Sequence, residues 1–163
     1  MSDLNQKDNV RSVALGSDHG GFPAKETLKA YLQMHGYVIT DVGTYSTDSV
    51  DYPDFAAKLA RTVASGECDR GIMIDGVGIG SSMVCNKVRG IRAALCYNER
   101  TITNSREHNN ANVLTLGGPL HPPDELCSMA RLWLETRFAG GRHWPRINKM
   151  MAVERDRTRN SNG

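Results

Sequence analysis

The stretch at residues 71–87, GIMIDGVGIGSSMVCNK, contains the pattern that decides the fold. It opens with a short apolar run at residues 72–74, which is typical of a strand buried on both faces. Three alternating glycines follow, and the sequence after Gly80 can continue as a helix. A strand, a glycine-rich turn and a helix in this order place backbone N–H groups and a helix N-terminus where they can face an anion.

Asp75 is the residue of this stretch that is best placed for chemistry. It stands at the carboxyl end of the predicted strand, where open α/β sheets bind their ligands. A carboxylate beside an anion-binding turn is electrostatically unfavourable, which favours a role in chemistry over one in support. The alternative is structural, with Asp75 capping the helix or bracing the turn, and this stretch alone does not separate the two roles.

The rest of the chain repeats the alternation of strand and helix. Apolar runs predict strands at residues 12–17, 37–42, 72–74, 90–96 and 112–116. Periodicity and Gly or Pro boundaries predict helices at residues 24–35, 55–65, 81–88, 98–106, 123–138 and 142–153. Because parallel strands need crossover connections, this order predicts an α/β fold, a Rossmann-like, doubly wound, five-stranded parallel sheet with helices on both faces.

Length and composition predict one domain at residues 11–153, between a flexible lead-in at residues 1–10 and a flexible polar tail at residues 154–163. A net charge of +2 argues against a nucleic-acid surface. No apolar run approaches the roughly 20 residues of a membrane span, and the polar N-terminus lacks the apolar core of a secretory signal. Four cysteines without a C-x-x-C pair argue against a zinc site and indicate a reducing cytoplasm.

Polar residues follow other predicted strands at the same edge of the sheet as the glycine loop. Asp18 and His19 come directly after the first strand, and Tyr52 lies near the end of the loop after the second. The carboxyl ends of parallel strands share one edge, so these residues can converge there. Each has an ordinary alternative, since Asp18 can cap a turn and a single loop histidine is more often a surface residue.

Two further groups are candidates from elsewhere in the chain. Arg142 and Arg146 are spaced i, i+4 on a predicted helix, so both guanidinium groups point the same way and suit a phosphate. They could equally form a solvated helix face. His108 and Asn109 precede the fifth strand and therefore start at the opposite edge of the sheet. They can reach the site only through a long turn or from a neighbouring subunit.

Together these segments resemble the ribose-5-phosphate isomerase B family, which also includes the subunits of galactose-6-phosphate isomerase. The resemblance extends from Val13 to about Met151. The matching segments are GSDHGGF at residues 16–22, DVGTYS and VDYPDFA within residues 41–56, the glycine loop with NKVRGIRAAL to residue 95, NSREHNNANVLTLGG at residues 104–118 and GGRH at residues 140–143.

The resemblance implies an aldose–ketose isomerase that moves a proton between adjacent carbons of a phosphorylated sugar through an enediolate. It implies no metal and no organic cofactor. The implied substrate is ribose 5-phosphate, with ribulose 5-phosphate as product, or a related sugar phosphate. It also implies a homodimer, or a dimer of dimers, with the C-terminal helix at the dimer interface and active sites shared between subunits, so that His108 reaches the site of its partner.

The family's site residues are carried over by the resemblance position by position. Asp75, His108 and Asp18 are the implied catalytic residues, with His108 associated with ring opening. Backbone donors of the glycine loop face the developing oxyanion, and the two arginines match the phosphate-binding pair. The implied substrate-binding residues are His19, Tyr52, Gly76, Val77, Gly78, Gly80, Ser81, Asn109, Arg142 and Arg146.

The glycine loop departs from both branches of the family. One branch has a cysteine base at the position of Asp75, and another has a glutamate base at the position of Ser81. Val77 stands where the family usually has a hydroxyl residue. Asp75 is therefore the predicted general base, because a carboxylate can remove a proton next to a carbonyl, as in triosephosphate isomerase.

Two alternatives remain open at this stage. The chain could be a non-catalytic or partner-dependent subunit, since one subunit type of galactose-6-phosphate isomerase also has an aspartate at this position. The substrate could instead be short, such as a tetrose 4-phosphate, which cannot close a five-membered ring because its O4 is esterified. An open-chain substrate of this kind would not need the hydroxyl group that Val77 replaces.

Overall fold

The computed structural model describes residues 9–160, with side chains described through residue 155. Strands and helices alternate over this range, and two short 3-10 turns lie at Gly118–Leu120 and Gly141–His143. The strands are β1 (Ser12–Ser17), β2 (Val38–Gly43), β3 (Arg70–Asp75), β4 (Ala93–Leu95) and β5 (Val113–Gly117). The α-helices are α1 (Phe22–Met34), α2 (Tyr52–Ala64), α3 (Ile79–Cys85), α4 (Glu99–Glu107), α5 (Pro123–Glu135) and α6 (Trp144–Asn160).

The five strands form one parallel sheet in the order β2-β1-β3-β5-β4, which confirms the predicted fold class. Helix α1 follows β1 and packs with α5 on one face of the sheet, whereas α3 follows β3 and packs with α2 on the other. The chain therefore leaves the two neighbouring strands β1 and β3 in opposite directions. Such a switch point opens a crevice at the carboxyl edge of the sheet.

Two hydrophobic layers hold the sheet between its helices. Ile72 and Ile74 face the layer that contains Trp133 of α5, and Met73 faces the layer that contains Leu59 of α2. All five side chains are fully buried. Burial on both faces explains why β3 reads as an uninterrupted apolar run, and each such side chain contributes about 1.5–3 kcal/mol by leaving water.

β4 is shorter than the strand predicted at residues 90–96. The side chain of Asn86 accepts from Ala93 N at 2.9 Å and donates to Ala93 O at 2.9 Å. The side chain of Asn112 accepts from Arg92 N at 2.8 Å and donates to Gly90 O at 2.9 Å. The bonds of Asn112 thus satisfy backbone groups of Gly90 and Arg92 that a longer strand would pair, and the bonds of Asn86 cover the first residue of β4.

Helix α6 is longer than predicted and corrects the boundary of the tail. It continues to Asn160, so the segment predicted as a flexible tail at residues 154–163 is helical through residue 160. Glu154 accepts a hydrogen bond from Gly90 N at 2.8 Å, which ties the helix to the turn before β4. Residues 1–8 of the predicted lead-in and residues 161–163 lie outside the described residues. No helix within residues 9–160 is long and apolar enough to cross a bilayer.

Candidate active site

Three loops meet at the carboxyl edge of the sheet, around the end of β3. Asp18 N donates to Ile74 O at 3.2 Å, so the loop after β1 lies directly against β3. A β-carbon at Gly20 would lie 3.9 Å from the backbone of Gly76, and one at Gly117 would lie 2.9 Å from Val77 Cα. The loops after β1, β3 and β5 are therefore in contact, and this crevice is the candidate active site.

Asp75 accepts four hydrogen bonds from the loop that follows it. Its Oδ1 accepts from Val77 N at 2.9 Å and from Gly78 N, and its Oδ2 accepts from the N–H and the hydroxyl of Ser81. Asp75 is only 4% exposed. Because a carboxylate has about four lone-pair positions, its accepting capacity is filled. The structure therefore shows Asp75 bracing the turn, and its role as a base stays a prediction.

These contacts divide the backbone N–H groups of the loop into those that bind Asp75 and those that are left for a ligand. Gly78 has a φ of +80°, in the left-handed region that favours glycine, and this tight turn directs the neighbouring N–H groups back to Asp75. The N–H groups of Val77, Gly78 and Ser81 are thus engaged within the protein. Among the described residues, the N–H groups of Gly76 and Gly80 have no acceptor and remain as donors for a ligand.

Asp18 and His19 connect the loop after β1 to its surroundings. Asp18 is buried, and its Oδ1 accepts from Gly21 N at 2.9 Å, so this residue also caps its turn. His19 Nδ1 lies 3.2 Å from both Val50 N and Val50 O, in the loop after β2. His19 therefore ties two of the site loops together and keeps Nε2 as its ring nitrogen for a ligand.

Tyr52 closes the crevice on the side of α2. A β-carbon at Gly80 would lie 2.5 Å from Tyr52 Cζ and 2.7 Å from its hydroxyl oxygen. A side chain at position 80 would displace the phenol ring, and glycine there leaves the hydroxyl group of Tyr52 next to the glycine loop. The structure thus brings Tyr52, Asp18, His19 and the glycine loop together at the carboxyl edge of the sheet, and their roles in a site stay predictions.

His108, Asn109, Arg142 and Arg146 lie at the opposite edge of the sheet. His108 follows the end of α4, and the neighbouring Glu107 O accepts from Ala139 N at 3.0 Å, which joins this end of α4 to the segment before Arg142. β5 separates this edge from the crevice, and its five residues span about 16 Å. One chain therefore does not bring these residues to Asp75, and we name this group the arginine edge.

His143 is a member of the arginine edge that the sequence analysis missed, although the GGRH segment contains it. Its ring stacks on that of His108 with 4.2 Å between centroids and 14° between planes. Burial lowers the pKa of His143 below its usual value, and electrostatic interactions with His108, Arg142 and Arg146 lower that pKa further, while Glu107 opposes them. Both arginines are exposed, and neither makes an ion pair within residues 9–155.

The lowered pKa of His143 predicts a stability change at mildly acidic pH. The unfolded chain protonates this histidine near pH 6.5, whereas the folded chain does so only at lower pH. The unfolded state then binds more protons, so the free energy of unfolding falls as the pH drops through about 6.5 and levels off below the folded pKa. Urea unfolding between pH 8 and pH 5 measures this change.

The variant His143→Phe keeps an aromatic ring against His108 and removes the titrating group, so we expect a flatter pH dependence. His35→Gln, a change at an exposed histidine at the end of α1, is the matched control and should keep the slope of the parent. The same slope in His143→Phe and the parent would contradict the prediction.

Residues 13–150 match the family described as Ribose/Galactose Isomerase. This match spans most of the chain, including both the crevice and the arginine edge. The chain belongs to the ribose/galactose isomerase family.

Within residues 9–155, no group of three His, Cys, Asp or Glu side chains is arranged to hold a metal ion.

Relatives in the ribose/galactose isomerase family align over almost their full length. Ribose-5-phosphate isomerase B of Escherichia coli is 38% identical over 148 residues, which cover 91% of this chain and 99% of that protein. D-erythrulose-4-phosphate isomerase of Pectobacterium atrosepticum is 38% identical over 143 residues, covering 85% and 92%. The structure of ribose-5-phosphate isomerase B of Clostridium thermocellum superposes with a TM-score of 0.87 at 46% identity, covering 89% and 98%.

Proposed function

We propose that this protein is an aldose–ketose isomerase that acts on a phosphorylated sugar. Membership of the ribose/galactose isomerase family over residues 13–150 is the observation that carries the proposal. The crevice supports it, because Asp18, His19, Tyr52 and the free donors of the glycine loop converge at a switch point. Carbonyl and hydroxyl oxygens of a sugar find hydrogen-bond partners of both kinds there.

The chemical step is the transfer of a proton between adjacent carbons through an enediolate. Asp75 is the proposed base, and the N–H groups of Gly76 and Gly80 are the proposed donors to the enediolate oxygen. Asp75 must first release one of its four hydrogen bonds. The hydroxyl of Ser81 is the donor that can leave, because a hydroxyl rotates whereas the three backbone N–H groups are fixed by the turn.

The proposed substrate is ribose 5-phosphate, in exchange with ribulose 5-phosphate, or a four-carbon sugar phosphate. One relative named above is an isomerase of ribose 5-phosphate and another is an isomerase of D-erythrulose 4-phosphate. The side chain of Val77 is 48% exposed beside the crevice and offers no hydroxyl to a sugar ring. This favours a substrate that spends much of its time in the open-chain form.

A panel of four-, five- and six-carbon aldose and ketose phosphates tests the function. The purified protein is incubated with each compound in D₂O, and exchange of the proton at the reacting carbon is followed by NMR. We expect exchange and isomerisation with at least one four- or five-carbon phosphate. Absence of exchange with every compound would contradict the proposal for the protein on its own.

A partner-dependent subunit of a sugar-phosphate isomerase is the second candidate function. The saturated hydrogen bonding of Asp75 favours it, because a residue committed to bracing the loop needs another group to act as base. This candidate predicts no exchange by the isolated protein and recovery of exchange when a related second chain is added. The panel therefore separates the two candidates directly.

We propose a homodimer, alone or paired as a dimer of dimers, whose active sites are shared between subunits. Each chain carries the crevice at one edge of its sheet and the arginine edge at the other, so a second copy can complete each site. An exposed apolar group beside the crevice supports such a contact. Its members, each 48–63% exposed, are Val77, Ile79, Met83 and Tyr97. Apolar groups of this kind commonly mark interfaces.

Arg142 and Arg146 are the proposed phosphate-binding residues. We expect Arg142→Ala and Arg146→Ala each to weaken binding of the sugar phosphate by about 1.5–3 kcal/mol, or about 10- to 150-fold in Kd, the range for hydrogen bonds to charged groups. Isothermal titration with the substrate found in the panel measures the effect. Lys149→Ala removes an exposed cation from α6, the helix that carries Arg146, and is the control. An unchanged Kd in both arginine variants would show that the two arginines are only solvated surface residues and do not bind the phosphate.

A further inference from the structure

Three side chains at the end of α4 form a chain of hydrogen bonds whose direction the backbone fixes. Asn109 Nδ2 lies 3.3 Å from the main-chain oxygen of Asn104 and 3.1 Å from Asn104 Oδ1. A main-chain oxygen can only accept, so the atom of Asn109 that faces it must be the amide nitrogen. Asn104 Oδ1, which faces the same nitrogen, is then also an acceptor.

The orientation of Asn104 follows from that of Asn109. With Oδ1 turned to Asn109, the other end of the Asn104 amide is Nδ2, and it lies 2.9 Å from Nδ1 of His108. An amide nitrogen can only donate, so Nδ1 of His108 must accept and cannot carry a proton. The proton of the neutral imidazole is therefore on Nε2, since the partner of one ring nitrogen decides the tautomer.

The plane of the His108 ring is fixed as well. His143 stacks on one face of the ring at 4.2 Å between centroids, and His143 itself is only 6% exposed. Rotation of the His108 ring about its own axis would break both the stacking geometry and the bond from Asn104. The direction of the Nε2–H bond is thus determined by two neighbours, one in the ring plane and one above it.

We propose that Asn104 is a positioning residue that holds His108 as the Nε2–H tautomer, so that His108 presents a proton donor to a cyclic substrate. The proposal rests on the proposed function. In ring opening, the bond between the anomeric carbon and the ring oxygen breaks, and Nε2–H donates a hydrogen bond to the ring oxygen as negative charge develops on it. The anomeric hydroxyl gives its proton to water as it becomes the carbonyl, and water gives a proton to the ring oxygen, so His108 keeps its Nε2 proton throughout.

The tautomer is tested on substrate-free protein with ¹⁵N-labelled histidine. Long-range ¹H–¹⁵N NMR spectra distinguish a protonated from an unprotonated ring nitrogen, and His108→Gln assigns the signals. We expect an unprotonated Nδ1 and a protonated Nε2 in the parent. In Asn104→Asp the carboxylate can only accept, so Nδ1 is expected to gain the proton. Thr103→Asp adds the same charge one position away and should leave the spectrum of His108 unchanged.

The consequence for catalysis is tested by comparing substrates that differ in ring closure. Asn104→Asp and Asn104→Leu should lower kcat for a five-carbon phosphate, which closes a ring, by about tenfold or more, since one positioned donor to a developing oxyanion contributes about 10²–10³-fold. Isomerisation of a four-carbon phosphate should change less than threefold, and Thr103→Asp should change neither. An equal loss with both substrates would overturn the ring-opening role.

The outcomes separate this proposal from the proposed function. A proton on Nδ1 of His108 in the parent would overturn the role of Asn104, whatever the enzyme does with sugars. A proton on Nε2 in a protein that isomerises no sugar phosphate would contradict the proposed function and the ring-opening role, and would leave the assignment of the tautomer in place.

Discussion

Asp75→Asn is expected to lower kcat for the isomerisation by about 10²–10⁴-fold, the usual contribution of a general base. The substitution keeps the size of the side chain and removes its ability to take a proton. The expected loss is in kcat, because Asp75 is buried under its own loop and the proposed contacts to the phosphate come from the arginine edge. Solvent-exchange NMR with the substrate found in the panel measures the residual rate.

A loss of activity in Asp75→Asn must be separated from damage to the loop. Oδ1 of the amide can still accept from Val77 N and Gly78 N, but Nδ2 then faces the N–H of Ser81 and loses that hydrogen bond. We expect the free energy of unfolding to fall by about 1–3 kcal/mol, the cost of leaving a buried polar group unpaired. Urea unfolding gives this number, and Asp54→Asn, a change at an exposed carboxylate in α2, is the matched control.

Two companion variants decide whether chemistry or loop structure is lost. Asp75→Cys installs the base of one branch of the family at the same position, and we expect it to recover more activity than Asp75→Asn although a thiol braces the loop poorly. Ser81→Ala removes the hydroxyl that must leave Oδ2, and we expect kcat within about threefold of the parent if Asp75 is the base. Isomerisation by Asp75→Asn at the rate of the parent would show that Asp75 only braces the turn.

The fold could be predicted from the sequence because the local apolar patterns and the order of strands and helices both indicate the same parallel sheet. β3 is predicted by its apolar run, and the crossovers follow from the alternation of strands with helices. The convergence of Asp18, His19 and the glycine loop then follows from one rule, that parallel strands end at a common edge. The separation of His108 from that edge was predicted in the same way, since His108 precedes its strand and Asp75 follows one.

The partners of individual side chains could not be predicted from the sequence. For Asp75, the pattern allowed both a base and a brace, and only coordinates show four donors around its oxygens. Asn104 begins the matching segment at residues 104–118, but that pattern does not indicate its hydrogen bonds to His108 and Asn109, which lie just beyond the end of α4. The length of α6 was missed because Glu154 binds Gly90, a contact between distant parts of the chain.

Mixing two inactive variants is expected to restore activity, and this is the second large effect that we predict. In the proposed homodimer, each site combines the crevice of one chain with the arginine edge of the other. In a heterodimer of Asp75→Asn with His108→Ala, one of the two sites therefore receives both defects and the other receives none. Random pairing makes half of the dimers mixed, so the activity should rise from near zero to about a quarter of that of the parent.

The structure also predicts which pairs of variants will fail to complement. Asp75→Asn and Asp18→Asn alter the same edge of the chain, so every site in their heterodimer carries one defect and no activity should return. Arg142→Ala lies with His108 on the arginine edge and should complement Asp75→Asn as His108→Ala does. Subunits with different affinity tags, refolded together and purified through both tags, give the mixed dimers. If no pair of variants recovers activity, each site is built within one chain. The side chain of His108 would then have to reach the crevice of its own chain, a distance of about the length of β5.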